Sequence, residues 1–154
     1  MKYCYFLQTL KDVPLGYHFS LYSYGPFDSA VLADLGEAEA QGFVDEAPIP
    51  AGYGYRIKSS RSGEDLTQES RFISEYKADV DWVVDEFGAE STSDLELDST
   101  IVYVDREAAD AARVLSIEAL TRQVGEVKPR FSESTIRMHV EALQNKDFLR
   151  ALKT

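Results

Sequence analysis

Two histidines, one cysteine, a set of closely spaced aspartates and a tyrosine-rich stretch are the residues from which this chain could make chemistry. His18 and His139 fall in opposite halves of the sequence with no cysteine at ligand spacing, so a zinc-type centre is not expected. Asp81 and Asp85 share a helix face with Asp79 nearby, a set able to gather Mg²⁺. Carboxylates at such spacing are more simply a solvated helix surface. Gly52-Tyr53-Gly54 lacks both the following helix and the Lys-Ser/Thr pair of a phosphate loop. There is no nucleophile elbow and no Cys/His pairing. Cys4 sits among aromatics and reads as an inert core thiol. The residues therefore predict no catalytic group, no metal and no cofactor, hence no enzyme.

Binding chemistry is left. Tyr22, Tyr24 and Phe27 surround Gly25-Pro26, and these aromatics are the candidates for contact with a protein partner. A turn that only holds local packing is the simpler role for this corner; in that role Tyr24 is buried. Arg56, Lys58 and Arg61 are the cations suited to touching phosphates from the tip of a wing.

These residues need elements to position them. Lys2 to Leu10 reads as a short buried helix, with Tyr3, Phe6, Leu7 and Leu10 at helical spacing. Its start has no capping residue ahead of it, which predicts that a preceding helix is missing from the chain. Pro14 and Gly16 end it. Tyr17 to Tyr24 alternates as a single strand, with Tyr17, Phe19 and Leu21 on one face and Tyr22 and Tyr24 on the other. Asp28 is placed to cap a helix over Asp28 to Gln41, which Gly42 terminates. Phe43-Val44 and Gly54 to Lys58 flank a Pro/Gly turn and predict a hairpin. This order approximates a winged helix. Eleven of the eighteen aromatics lie in residues 1–58, which predicts that the core is built there.

Gly63 to Gly88 reads as one long amphipathic helix. Glu69, Ile73, Tyr76, Val80, Val83 and Phe87 form its seam, widened by Phe72 and Val84. Trp82 falls away from that seam, toward a second surface. The 66–87 stretch offers a homodimer contact. Ser93-Asp94-Leu95-Glu96 has the capping-box pattern and opens another helix. Within it, Thr100 to Val104 is also compatible with a strand. Ser116 to Val124 is helical, Lys128-Pro129 breaks it, and Ser132 caps a last helix with Ile136, Val140 and Leu143 inward. The fold expected is α+β and mostly helical: a single domain over 1–154, with a winged-helix-like core in 1–60 and a helical extension in 61–154.

The chain has 154 residues and a formal net charge of -11, unevenly spread. Residues 59–110 hold 4 Lys/Arg against 15 Asp/Glu, whereas residues 111–154 hold 8 against 5. An acidic middle repels phosphate backbones and suits a basic protein partner. The helix that would enter a DNA groove carries Asp28, Asp34, Glu37 and Glu39 and no Lys or Arg. Nucleic acid is thus not the expected partner. No apolar run reaches the ~20 residues that span a bilayer. With one cysteine and no signal-peptide pattern, a cytoplasmic location is expected.

Tyr5-Phe6-Leu7-Gln8, then Tyr24-Gly25-Pro26-Phe27 followed by Val31-Leu32-Ala33-Asp34-Leu35, resembles the Panacea domain, the family that includes SocA-type antitoxins and related phage-borne proteins. Lys128-Pro129-Arg130-Phe131-Ser132 with Ile136 is similar to a C-terminal segment there. The chain departs from the family at Phe27-Asp28, where a valine-rich step is usual. The resemblance implies a non-enzymatic, mostly helical protein that binds another protein, such as a toxin or a protease. An antitoxin-like interaction module is the expectation, and a winged-helix regulator touching DNA through the wing and the basic C-terminal segment is its rival.

Overall fold

Phe6 and Phe87 stack almost parallel, with ring centroids 4.0 Å apart, and around this pair the chain closes its core. The structure is a computed structural model that describes residues 1–49, 55–60 and 71–152. Among those residues it is α+β and 59% helical, with six helices and two small antiparallel hairpins. The order is α1 (Lys2–Leu10), β1 (Ser20–Tyr22), β2 (Gly25–Phe27), α2 (Ser29–Ala40), β3 (Val44–Pro48), β4 (Tyr55–Ser59), α3 (Arg71–Phe87), α4 (Thr92–Asp110), α5 (Ile117–Val127) and α6 (Glu133–Asn145).

The core does not lie where the aromatics are densest. Tyr5 and Phe6 of α1 join Val83 and Phe87 of α3, and Leu97, Ile101 and Val102 of α4. Leu120 and Val124 of α5 and Ile136, Val140 and Leu143 of α6 belong to it, with Ala108, Leu115 and Ala151. Most of the first 58 residues' aromatics are half-buried or exposed. Aliphatic side chains on four long helices supply more continuous buried surface than a three-residue strand can offer. In α1 the buried side chains are Tyr5 and Phe6, while Tyr3 is exposed, so the inward face is rotated from the one the spacing suggests.

The stretch Tyr17 to Tyr24 is not one strand. It reverses at Ser23-Tyr24, so that Ser20 pairs with Phe27, Leu21 with Pro26 and Tyr22 with Gly25. Gly25 makes this possible with φ +92°, a region closed to most L side chains. The Tyr-Gly-Pro sequence therefore lies in a hairpin and not in a corner between strand and helix. Asp28 caps α2 as expected: one carboxylate oxygen accepts from Ala30 N (2.9 Å) and the other from His18 N (2.5 Å). The same residue thus starts the helix and holds the base of the hairpin.

The expected second hairpin is present as β3–β4, with Asp45 opposite Lys58 and Ala47 opposite Arg56. It extends from α2, and all of β4 is exposed. The described part of the long amphipathic helix is α3; Glu69 and the rest of 61–70 lie outside the described residues. Trp82 does meet a second surface, edge-on to Phe148 at 5.4 Å with the Lys11 ammonium over its ring. Residues 100–104 are helical, within α4. That helix is capped two residues earlier than the box pattern suggests. Ser91 Oγ accepts from Asp94 N (3.1 Å), because Glu96 is engaged elsewhere. Ser116 and Ser132 cap α5 and α6 through Ala119 N and Thr135 N. Asp105 fastens the C-terminal segment, accepting from Arg150 N and Ala151 N, each at 2.8 Å.

Candidate functional site

The aromatic hairpin β1–β2 is held from beneath by charge. Lys128 Nζ donates to Glu96 Oε1 (2.9 Å), and both side chains are almost fully buried, at 3% and 4% exposure. The same ammonium donates to the carbonyl oxygens of Tyr22 and Ser23. Arg130 takes the second oxygen of Glu96 at 2.6 Å. From the other side, Lys2 Nζ donates to Pro26 O (3.0 Å). A buried ammonium with a carboxylate and two carbonyls is fully satisfied, and such a group fixes geometry at a cost in desolvation. Three inward carbonyls of the hairpin are thereby consumed, which pins residues 20–27 to α1, to α4 and to Lys128 just after α5.

What this pinning presents is aromatic. Tyr22 is 62% exposed and Tyr24 74%, while Phe27 is half-buried with its ring 5.3 Å from that of Tyr22. Tyr24 is therefore not the buried residue of a purely structural corner; the chain reversal at Ser23-Tyr24 turns it outward. Gly25 and Pro26 are the buried residues of the motif. A Cβ on Gly25 would lie 3.0 Å from Ser99 Oγ, 3.1 Å from Lys2 Nζ and 3.3 Å from Thr100 Oγ1. The hairpin can approach α4 only because that position is glycine. Between Tyr22, Tyr24, Phe27 and Lys2 lies an open hollow of about 320 Å³. Burial pushes the Lys2 ammonium down to about 8.

The wing candidates separate from this site. Arg56 and Lys58 are exposed on β4, two residues apart and so on one face of the strand, with Asp45 opposite Lys58. Arg61 lies outside the described residues. On α3, Phe72, Ile73, Val80 and Val84 of the expected homodimer seam are exposed among the described residues.

A second cluster was not legible as a site in the sequence. His139 Nδ1 on α6 lies 2.6 Å from Asp98 Oδ1 on α4, and its Nε2 is 3.7 Å from Asp94 Oδ1. Glu90 and Lys146 line the same hollow of about 400 Å³. Hydrogen bonding to Asp98, opposed by burial, holds His139 above the usual imidazole range. Burial, reinforced by the charge of Asp98, pushes Glu90 up to about 7. The sequence signal was only Asp94 and Asp98 one helical turn apart, with their partner far along the chain. A carboxylate-oriented imidazole is able to exchange a proton. The hollow's lining has no hydroxyl or thiol, and the His139–Asp98 contact joins α6 to α4. Among the described residues no group of three or more His, Cys, Asp or Glu is arranged to hold a metal ion. Asp79 instead pairs with Lys11 and Asp81 with Lys77. None of the described helices is long and apolar enough to cross a membrane.

The chain matches no protein-family model, no curated protein and no solved structure.

Proposed function

We propose that this chain is a non-enzymatic protein-interaction module, antitoxin-like, that docks a protein partner on the β1–β2 hairpin and so occludes or delivers it. The observation that carries the reading is the pairing of exposure with rigidity. Tyr22 and Tyr24 stand in solvent, yet the backbone beneath them is fixed by Lys128, Glu96 and Lys2. Exposed tyrosines on a preorganised loop bind with little ordering cost, and aromatic anchors of this kind dominate interface energies. The resemblance to the Panacea domain falls on the same Tyr-Gly-Pro residues. The test is co-expression with the product of the adjacent reading frame, scoring growth and co-purification. Relief of toxicity and a stable complex are expected; a frame whose product neither harms growth nor binds would count against the reading.

The rival reading, a DNA-binding regulator, draws on the exposed Arg56 and Lys58 of β4. Asp45 lies opposite Lys58, and α2 has no cation in its span. Those charges weaken phosphate contact. The exposed face of α3 would, in the same proposal, serve a second copy of the chain, tested by sedimentation at increasing concentration.

A further inference from the structure

The hollow beside Tyr24 has an electrostatic imbalance. Glu96 is the acid that pairs with the cations under the hairpin, and both its oxygens are taken, one by Lys128 and one by Arg130. Lys2 is left with a carbonyl, Pro26 O, and forms no ion pair among the described residues. Its ammonium has three N–H donors. One is used on Pro26. The lining is Lys2, Tyr22, Ser23, Tyr24, Gly25 and Phe27, so a single cation faces a space walled by aromatic rings. The charge of Glu96 reaches Lys2 and opposes the effect of burial, but Lys128 and Arg130 hold both its oxygens, so among the described residues no carboxylate accepts from the Lys2 ammonium, and a ligand carboxylate would complete it.

Resting on the interaction reading above, we infer that this hollow receives an acidic side chain of the partner protein, its carboxylate accepting from Lys2 Nζ while Tyr22, Tyr24 and Phe27 enclose its aliphatic stem. Charge complementarity selects a carboxylate: the chain is strongly acidic overall, yet the groups beneath this hairpin are Lys2, Lys128 and Arg130 against Glu96 alone. The backbone selects a side chain over a chain terminus. Capture of a terminal carboxylate relies on a nest of backbone N–H groups. Here the inward groups of Tyr22, Ser23 and Pro26 are carbonyl oxygens already engaged by lysines, which offer a terminus no donor.

The test uses the full chain with ¹³C-labelled tyrosine rings and two probes, 3-phenylpropionate and its uncharged amide. The acid should move the Tyr22 and Tyr24 ring signals with millimolar affinity. The amide should bind about tenfold more weakly, the scale of one charge-assisted hydrogen bond. Raising the pH through 8 should erase the difference as Lys2 loses its proton. Lys2→Met should erase it at every pH. Equal binding of acid and amide by the wild-type chain, or no movement of either ring, overturns the inference without need of a variant. Binding of the adjacent-frame product separates the two claims. If Tyr24→Ser abolishes it and Lys2→Met does not, the interaction reading stands and the carboxylate inference falls. If neither matters, both fall.

Discussion

Lys128 and Glu96, 32 positions apart, meet 2.9 Å from one another in the interior, and the ammonium of that pair also carries the backbone of Tyr22 and Ser23. One buried contact thus joins the helical body to the loop that presents the aromatics. Removing Lys128 leaves the buried Glu96 with only the half-exposed Arg130 and takes the donor from the Tyr22 and Ser23 carbonyls. Lys128→Met is therefore expected to cost roughly 3–5 kcal/mol, read in urea denaturation. The double variant Glu96→Leu/Lys128→Met should recover part of the loss. Equal destabilisation by Glu96→Leu/Lys128→Met and Lys128→Met would refute the assignment.

The Tyr-Gly-Pro hairpin divides into a structural residue and an exposed one. Gly25→Val must place a branched side chain at φ +92° against Ser99 and Thr100. A loss of roughly 1–3 kcal/mol is expected, the range for backbone strain. Tyr24→Ala removes a ring that is 74% exposed, and its thermal midpoint should stay close to wild type. A large drop for Tyr24→Ala would show that the ring packs in the native state.

Asp105 is fully buried and accepts from Arg106, Arg150 N and Ala151 N. Asp105→Ala leaves these donors without an acceptor, each at a cost of about 1–3 kcal/mol. The C-terminal segment should come free first. Hydrogen exchange at the amide of Leu115, which donates to Ala151 O, should accelerate well beyond that of α5. Uniform acceleration across the chain would contradict this local effect.

The latch between α4 and α6 makes stability depend on pH. His139 and Glu90 both bind protons more tightly folded than unfolded. Their contribution is complete below their unfolded values and fades as pH rises through the folded ones. For Glu90 that window runs from about 4.5 to about 7, and for His139 it lies above 6.5. The thermal midpoint should fall between pH 5 and pH 8. Glu90→Gln should flatten the lower part of that slope and His139→Gln the upper. A wild-type midpoint that rises over this range would contradict the account.

Local signals in the sequence located the elements well. The caps at Asp28 and Ser132 are real because each needs only its own next three residues. The hairpin at 44–59 was legible from its turn residues. The core was misplaced because aromatic density does not reveal which side chains find long helical partners. The β1–β2 reversal was hidden because alternation continues through Ser23-Tyr24, where the chain turns with Gly25 at positive φ. Glu96 looked like a cap residue. Its partners, Lys128 and Arg130, are distant in sequence, and pairing over that range leaves no local trace.

In the proposed reading the tyrosines of a pinned hairpin dock a protein partner. Calorimetric titration of the adjacent-frame product into wild type and into Tyr22→Ser/Tyr24→Ser, both first shown to melt alike, tests it most directly. Saturable binding by wild type is expected, with a loss of at least about tenfold, roughly 1.4 kcal/mol, in the double variant. Equal affinity for the two proteins, or no binding by wild type, would contradict it.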